Sequence, residues 1–181
     1  GKVDLVLAQV IVRPELQAIV DFSVPARSNV NEVIVSGPGA PAIATVDDLA
    51  GKEIYVRKDS SAWAALVELN GKLKAKGLAE VAVREVPGNL EDDDLLEMAN
   101  AGIIPLTVAQ NYLAAFWQQV FTNLTVHESI AVRTGATIAV PFRKNSPKLA
   151  AELNSFVARN GLGTAFGNVI EKRYLVNTTF A

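Results

Sequence analysis

The sequence predicts an α/β protein with largely parallel strands. Three observations carry this. Short apolar runs of strand character alternate with amphipathic stretches of about a dozen residues. Cap and breaker residues stand where one kind of run gives way to the other. The chain has 181 residues, of which 50% are apolar and 20% charged. That is an ordinary globular balance, sufficient for one or two units with real cores.

In chain order, Val3 to Ala8 reads as a buried strand and Pro14 to Val20 as a short helical turn. Asp21 to Pro25 reads as a loop, and Asn31 to Ser36 as a strand. Gly37-Pro38-Gly39-Ala40-Pro41 is the strongest breaker and the candidate hinge. Asp47 to Leu49 suits a single helical turn and Glu53 to Arg57 a strand. The cap cluster Asp59-Ser60-Ser61 then opens a helix, with Ala62, Leu66, Leu69 and Leu73 on one face and Gly77 as its stop. Val81 to Val86 alternates as a strand does.

Asn89 is the expected cap of the next helix, with Glu91 to Asp94 in its first turn, where the helix dipole favours negative charge. Ile103 to Leu106 suggests a short strand, and Val108 to Val120 an aromatic-rich helix. Leu124 to Val126 and Thr137 to Phe142 are read as two further strands. Ser146-Pro147 starts a helix that closes at Asn160-Gly161, and Thr164 starts a last one running through Tyr174.

Composition excludes several chemistries. With no cysteine, disulfides, thiolate catalysis and cysteine-bound zinc are out, and one histidine leaves no histidine-rich metal site. A net charge of -2 gives no basic excess for nucleic acid or an anionic membrane. No apolar run reaches the roughly 18 residues of a membrane span. No cofactor and no metal are expected.

The Asp59-Ser60-Ser61 turn joins a strand to a helix, where free N–H groups and hydroxyls suit an anion or a carboxylate, or simply cap the helix. Glu128-Ser129 superficially matches a transglycosylase acid pair but has no sheltered groove, so it reads as a loop. His127 has no metal partner nearby and reads as a surface or cap residue. The acidic run Glu91 to Asp94 lacks the spaced ligands of a calcium loop and reads as a solvated helix start. Trp63 and Trp117 fall at core spacing. No triad or general acid is evident, so no catalytic residue is assigned.

Three stretches together resemble the type 2 periplasmic solute-binding family, which includes the amino-acid receptors of ABC transporters. These are GKVDLVLAQVIVRPELQAIVDFSVP (1–25), VDDLAGKEIYVRKDSSAW (46–63) and ATIAVPFRKNSPKLAAELNSFV (136–157). NEVIVSGPGAPAIATVDDLAGKEIYVRKDSS, LEDDDLLEMANAGIIPLTVA and GTAFGNVIEKRYL look like the receptor-like module of lytic transglycosylases of the membrane-bound F type. The resemblance implies a two-lobed fold. Lobe 1 would hold residues 1–45 and 133–181, and lobe 2 residues 46–132. Hinge crossings are expected near 37–45 and 127–135, with ligand closing the cleft. It also implies a strand, a helix and a second strand upstream of residue 1, covering the edge of Val3 to Ala8.

The same resemblance places the ligand site. Where the receptors carry the carboxylate-clamping arginine of T-x-x-R, this chain has Leu16, and the threonine position is Arg13. Where they carry an aspartate for the α-ammonium, it has Gln110 followed by Asn111. Ser60 and Ser61 keep the hydroxyl pair at the helix start. The implied ligand-binding set is therefore Arg13, Ser60, Ser61, Gln110 and Asn111. Arg13 and the serines would meet an acidic group, and the amides neutral polar ones. The implied function is a non-catalytic sensing module of a cell-wall lytic enzyme, located in the periplasm or cell envelope. It would bind a peptidoglycan fragment or another small polar ligand and regulate an attached C-terminal muramidase domain. The alternatives are a free solute-binding protein of a transporter, and a degenerate receptor fold kept as a spacer.

Overall fold

The computed structural model describes residues 3–8, 10–58 and 60–180. It comprises two compact units, one formed by Gly1–Val30 with Gly135–Ala181, the other by Asn31–Thr134.

The second unit is built on a five-stranded sheet of order β4-β3-β5-β2-β6. Its strands are β2 (Arg27–Ser36), β3 (Glu53–Arg57), β4 (Ala82–Val86), β5 (Leu106–Gln110) and β6 (Thr125–Ile138). β3 runs parallel to β4 and β5, but β2 is antiparallel to β5. The sheet is therefore mixed rather than largely parallel. All five residues of β5 are buried, as befits a central strand covered on both faces. That burial corrects the expected helix start at Val108. Val108, Ala109 and Gln110 continue the strand, and helix α4 (Asn111–Trp117) begins after it.

Helix α2 (Ser61–Ala75) covers one face. Leu66, Leu69 and Leu73 recur at helical spacing and pack on Ile34, Ile54, Val56, Leu106 and Val108. Burying each such leucine contributes about 2 kcal/mol. The helix starts on the side chain of Ser60, which accepts from the Trp63 N–H, and Gly77 follows it at φ 73°. The expected acidic cap residue Asp59 lies outside the described residues. Helix α3 (Asp92–Asn100) covers the other face through Leu95, Leu96 and Ala99, against Val33, Val35 and Ala109. Its cap is Glu91 and not Asn89: the Glu91 N–H donates to Asp94 at 2.7 Å, closing a capping box. Trp117 stacks on Phe121 in this second core.

The breaker at Gly37 to Pro41 lies wholly inside the second unit. A Cβ added to Gly37 would stand 1.9 Å from the Ala99 carbonyl oxygen, so this glycine serves close packing. The first division falls earlier than residue 45, between Val30 and Asn31 within β2, because Glu32 to Ser36 pair with β5. The second falls between Thr134 and Gly135, within β6. The two strands expected at Leu124–Val126 and Thr137–Phe142 are instead one long β6 and a short β7 (Pro141–Arg143). As the last strand of its sheet, β6 leaves polar residues such as Glu128 and Ser129 exposed, which masks its strand pattern.

In the first unit, α1 (Pro14–Gln17) is followed by β1 (Val20–Phe22), which pairs antiparallel with β7. Asp21 and Phe22 are thus strand residues rather than loop. Val3 to Ala8 is not a buried strand. Leu5 makes one isolated bridge to Phe142, while Val3, Val6 and Leu7 are exposed. Helix α5 (Pro147–Asn160) has Pro147 at its first position, as expected, and α6 (Ala165–Glu171) starts on the Thr164 hydroxyl. Arg27 pairs with Glu171.

Candidate functional site

A polar cluster occupies the carboxyl end of β5 in the second unit, beside the start of α2. β2 runs antiparallel to β5 and sets Glu32 directly opposite Gln110. Gln110 is the last strand residue and Asn111 the first residue of α4, so a strand-to-helix turn presents both amides together. Ser61 opens α2.

Hydrogen bonds define each group's remaining capacity. The Ser61 hydroxyl donates to Glu32 Oε1. Arg133 Nε donates to Glu32 Oε2 at 2.9 Å, and its Nη2 lies 3.5 Å from Glu68 Oε1 on α2. Gln110 Oε1 accepts from the Tyr112 hydroxyl at 2.7 Å. Asn111 Oδ1 accepts from the Asn31 N–H at 3.1 Å. Both amides thereby turn their NH2 groups away from these contacts.

Glu32 is only 2% exposed. Its burial raises the carboxyl above the ordinary value of 4.5, and the nearby charge of Asp92 adds to this. The Ser61 and Arg133 contacts act the other way. Asp92 is itself held by Arg57 Nη2 at 2.7 Å, and Glu91 by Arg57 Nη1 at 2.9 Å. The acidic start of α3 is therefore partly neutralised rather than simply solvated.

The structure brings Ser61, Gln110 and Asn111 into this one cluster, with Ser60 next to it as the α2 cap. Arg13 belongs to the other unit. It precedes α1, and its Nη1 lies 3.2 Å from Glu15 of that helix. Sequence reading missed Glu32 and Arg133. The available signal was a lone acid inside the apolar run around Val30 and Val33 to Val35, where a strand covered on both faces leaves a carboxylate no route to water. His127, read as a surface residue, is half-buried and shares a 2.8 Å hydrogen bond with Ser36 Oγ.

The first unit contains a cavity of about 530 Å³ whose polar lining is Gln17, Asp21, Ser23 and Thr137. Among the described residues no group of three or more acidic or histidine side chains could hold a metal ion. Among them, too, no helix is long and apolar enough to cross a membrane.

No family model and no curated protein matches the sequence. Solved structures do resemble it. The substrate binding protein of an amino acid ABC transporter superposes with a TM-score of 0.76 at 19% identity, over 98% of this chain and 73% of that one. An ancestral arginine-binding protein bound to glutamine gives 0.73 at 20% identity, over 96% and 72%. The amino acid ABC transporter substrate-binding protein AbpA from Streptococcus pneumoniae, bound to L-arginine, gives 0.71 at 18% identity, over 87% and 62%. The chain has the two-lobed fold of the type 2 periplasmic binding proteins.

Proposed function

We propose that this protein is a non-catalytic binding module for a small polar ligand of the amino-acid or short-peptide class. The observation that carries the reading is the cluster of Ser61, Gln110 and Asn111 at the carboxyl end of β5, where open α/β sheets bind ligands. Solved structures of the same fold include amino-acid-binding proteins, which supports that ligand class. Ser60, Ser61, Gln110 and Asn111 are proposed to contact the ligand.

Two biological settings follow from this reading, both in the periplasm or cell envelope. The stretches resembling the transglycosylase module favour a regulatory domain that senses peptidoglycan fragments for an attached muramidase domain. The amino-acid transport proteins of the same fold favour a free solute-binding protein. Thermal unfolding with L-amino acids, stem peptides and muropeptides separates them. A bound ligand at a hundredfold excess over its Kd stabilises the fold by about 2.7 kcal/mol. A shift with muropeptides alone supports the cell-wall sensor. A shift with free amino acids supports the transport protein. No shift with any member of the panel overturns the binding reading.

A further inference from the structure

We propose that Glu32 is a positioning residue that sets the hydrogen-bonding polarity of Ser61, so that Ser61 receives an N–H donor of the ligand. The proposal rests on the binding reading above and names the ligand group that meets the start of α2.

A serine hydroxyl has one proton and two lone pairs. Here the proton is committed to Glu32 Oε1, which leaves only lone pairs for a ligand. Glu32 makes no ligand contact of its own: it is 2% exposed, and each of its oxygens already accepts one hydrogen bond. Its effect passes through Ser61, which is half-buried. Across the sheet, Gln110 and Asn111 have the opposite polarity, because both carbonyl oxygens are engaged and the NH2 groups remain. The site thus offers an acceptor at Ser61 and donors at Gln110 and Asn111. A carboxamide, with its own donor and acceptor, is complementary to that set. The first turn of α2 by itself favours an anion. Withholding the Ser61 proton removes the hydroxyl donor that a carboxylate would use.

The arrangement can be reversed at one atom. Arg133 holds Glu32 Oε2, so a proton taken up by Glu32 resides on Oε1 and donates to Ser61 Oγ. The Ser61 proton is then free to point at the ligand. E32Q does the same permanently: its carbonyl accepts from Arg133 Nε and its NH2 donates to Ser61. The charged groups facing Glu32 are Arg133 of β6 and, at longer range, Asp92 of α3. Glu68 of α2 shares Arg133, and Arg57 of β3 shares Asp92.

Calorimetric titration of the whole chain with L-glutamine, L-glutamate and L-glutaminamide tests this, since glutamine differs from glutamate at the side chain and from glutaminamide at the α-carboxylate, each time by one carboxylate for one carboxamide. In the pair whose varied group meets Ser61, the wild type is expected to bind the carboxamide about tenfold more tightly, the value of one hydrogen bond. E32Q is expected to erase or invert that ratio, and acidification of the wild type to move it the same way. In S61A neither the pH nor E32Q changes the ratio. An amide-to-carboxylate ratio that is the same in the wild type, S61A and E32Q overturns the proposal and leaves the binding reading intact. If E32Q does not fold, the pH dependence of the wild type against S61A decides the question. Binding of none of the three compounds overturns this assignment, and the wider thermal panel then judges the binding reading separately.

Discussion

Glu32 and Gln110 stand opposite one another across the antiparallel pair β2–β5, both buried. A carboxylate in that position is desolvated, which raises its pKa above 4.5. For an acid raised on folding, the stability it contributes is full below the unfolded value and is lost as pH rises through the folded value. The stability of the wild type relative to E32Q is therefore expected to fall as pH rises above the ordinary carboxylate range. Urea unfolding of both proteins as a function of pH measures it. A difference that grows with pH would show that Arg133 and Ser61 outweigh the burial.

Asn70 on α2 holds the backbone of Val81 at both ends. Its Nδ2 donates to the Val81 carbonyl at 3.0 Å, and its Oδ1 accepts from the Val81 N–H at 2.7 Å. Val81 is buried, so Asn70→Ala leaves its N–H without a partner at the entry to β4, while its carbonyl keeps the Val83 N–H at 3.1 Å. The expected loss is about 1 to 3 kcal/mol, read from the shift in urea midpoint. A change under about 0.5 kcal/mol, the range of ordinary surface substitutions, would mean water replaces the side chain freely.

Gly37→Ala should be at least as damaging. The new methyl would press on the Ala99 carbonyl, which is backbone in the last turn of α3 and has little room to yield. A destabilisation of about 3 kcal/mol is expected, the upper part of the overpacking range. Alanine at Gly71, whose added Cβ meets nothing within 4 Å, is the matched control and should leave stability unchanged or raise it.

His127 is the single histidine of the chain, so its imidazole proton signals are unambiguous in a magnetic resonance titration. Desolvation lowers its pKa from the ordinary 6.5. The midpoint is expected below that value. A base depressed on folding contributes stability above its unfolded pKa and loses it as pH falls through the folded one. A midpoint at or above 6.5 would contradict the partial burial beside Ser36.

Elements with local punctuation were readable from sequence. The Ser60 cap, the leucine period of α2 and the proline at the start of α5 each specify a helix through contacts a few residues apart. Elements decided by distant partners were not. Val108 to Gln110 would suit a helix by composition, and only burial between β3 and β2 makes them a strand. Val3 to Ala8 is apolar enough for a strand, yet it gains one bridge and leaves three large apolar side chains exposed. In the candidate site, Ser60 and Ser61 were legible as cap residues. Gln110 and Asn111 were placed only by resemblance to a family. Glu32 and Arg133 were invisible, because their meeting joins residues a hundred positions apart on two strands whose register sequence does not state.

The two units differ in how the chain supplies them. Asn31–Thr134 is one uninterrupted segment, whereas β1 of the other unit has its partner β7 beyond that entire segment. During synthesis from the amino end, the continuous unit emerges complete and can close its own core first. Residues up to Val30 must wait, holding apolar side chains such as Ile11 unburied, until the ribosome has delivered Ile138 and Phe142. The order of assembly is thus written into the connectivity: residues up to Val30 are made before the continuous unit and find their place after it.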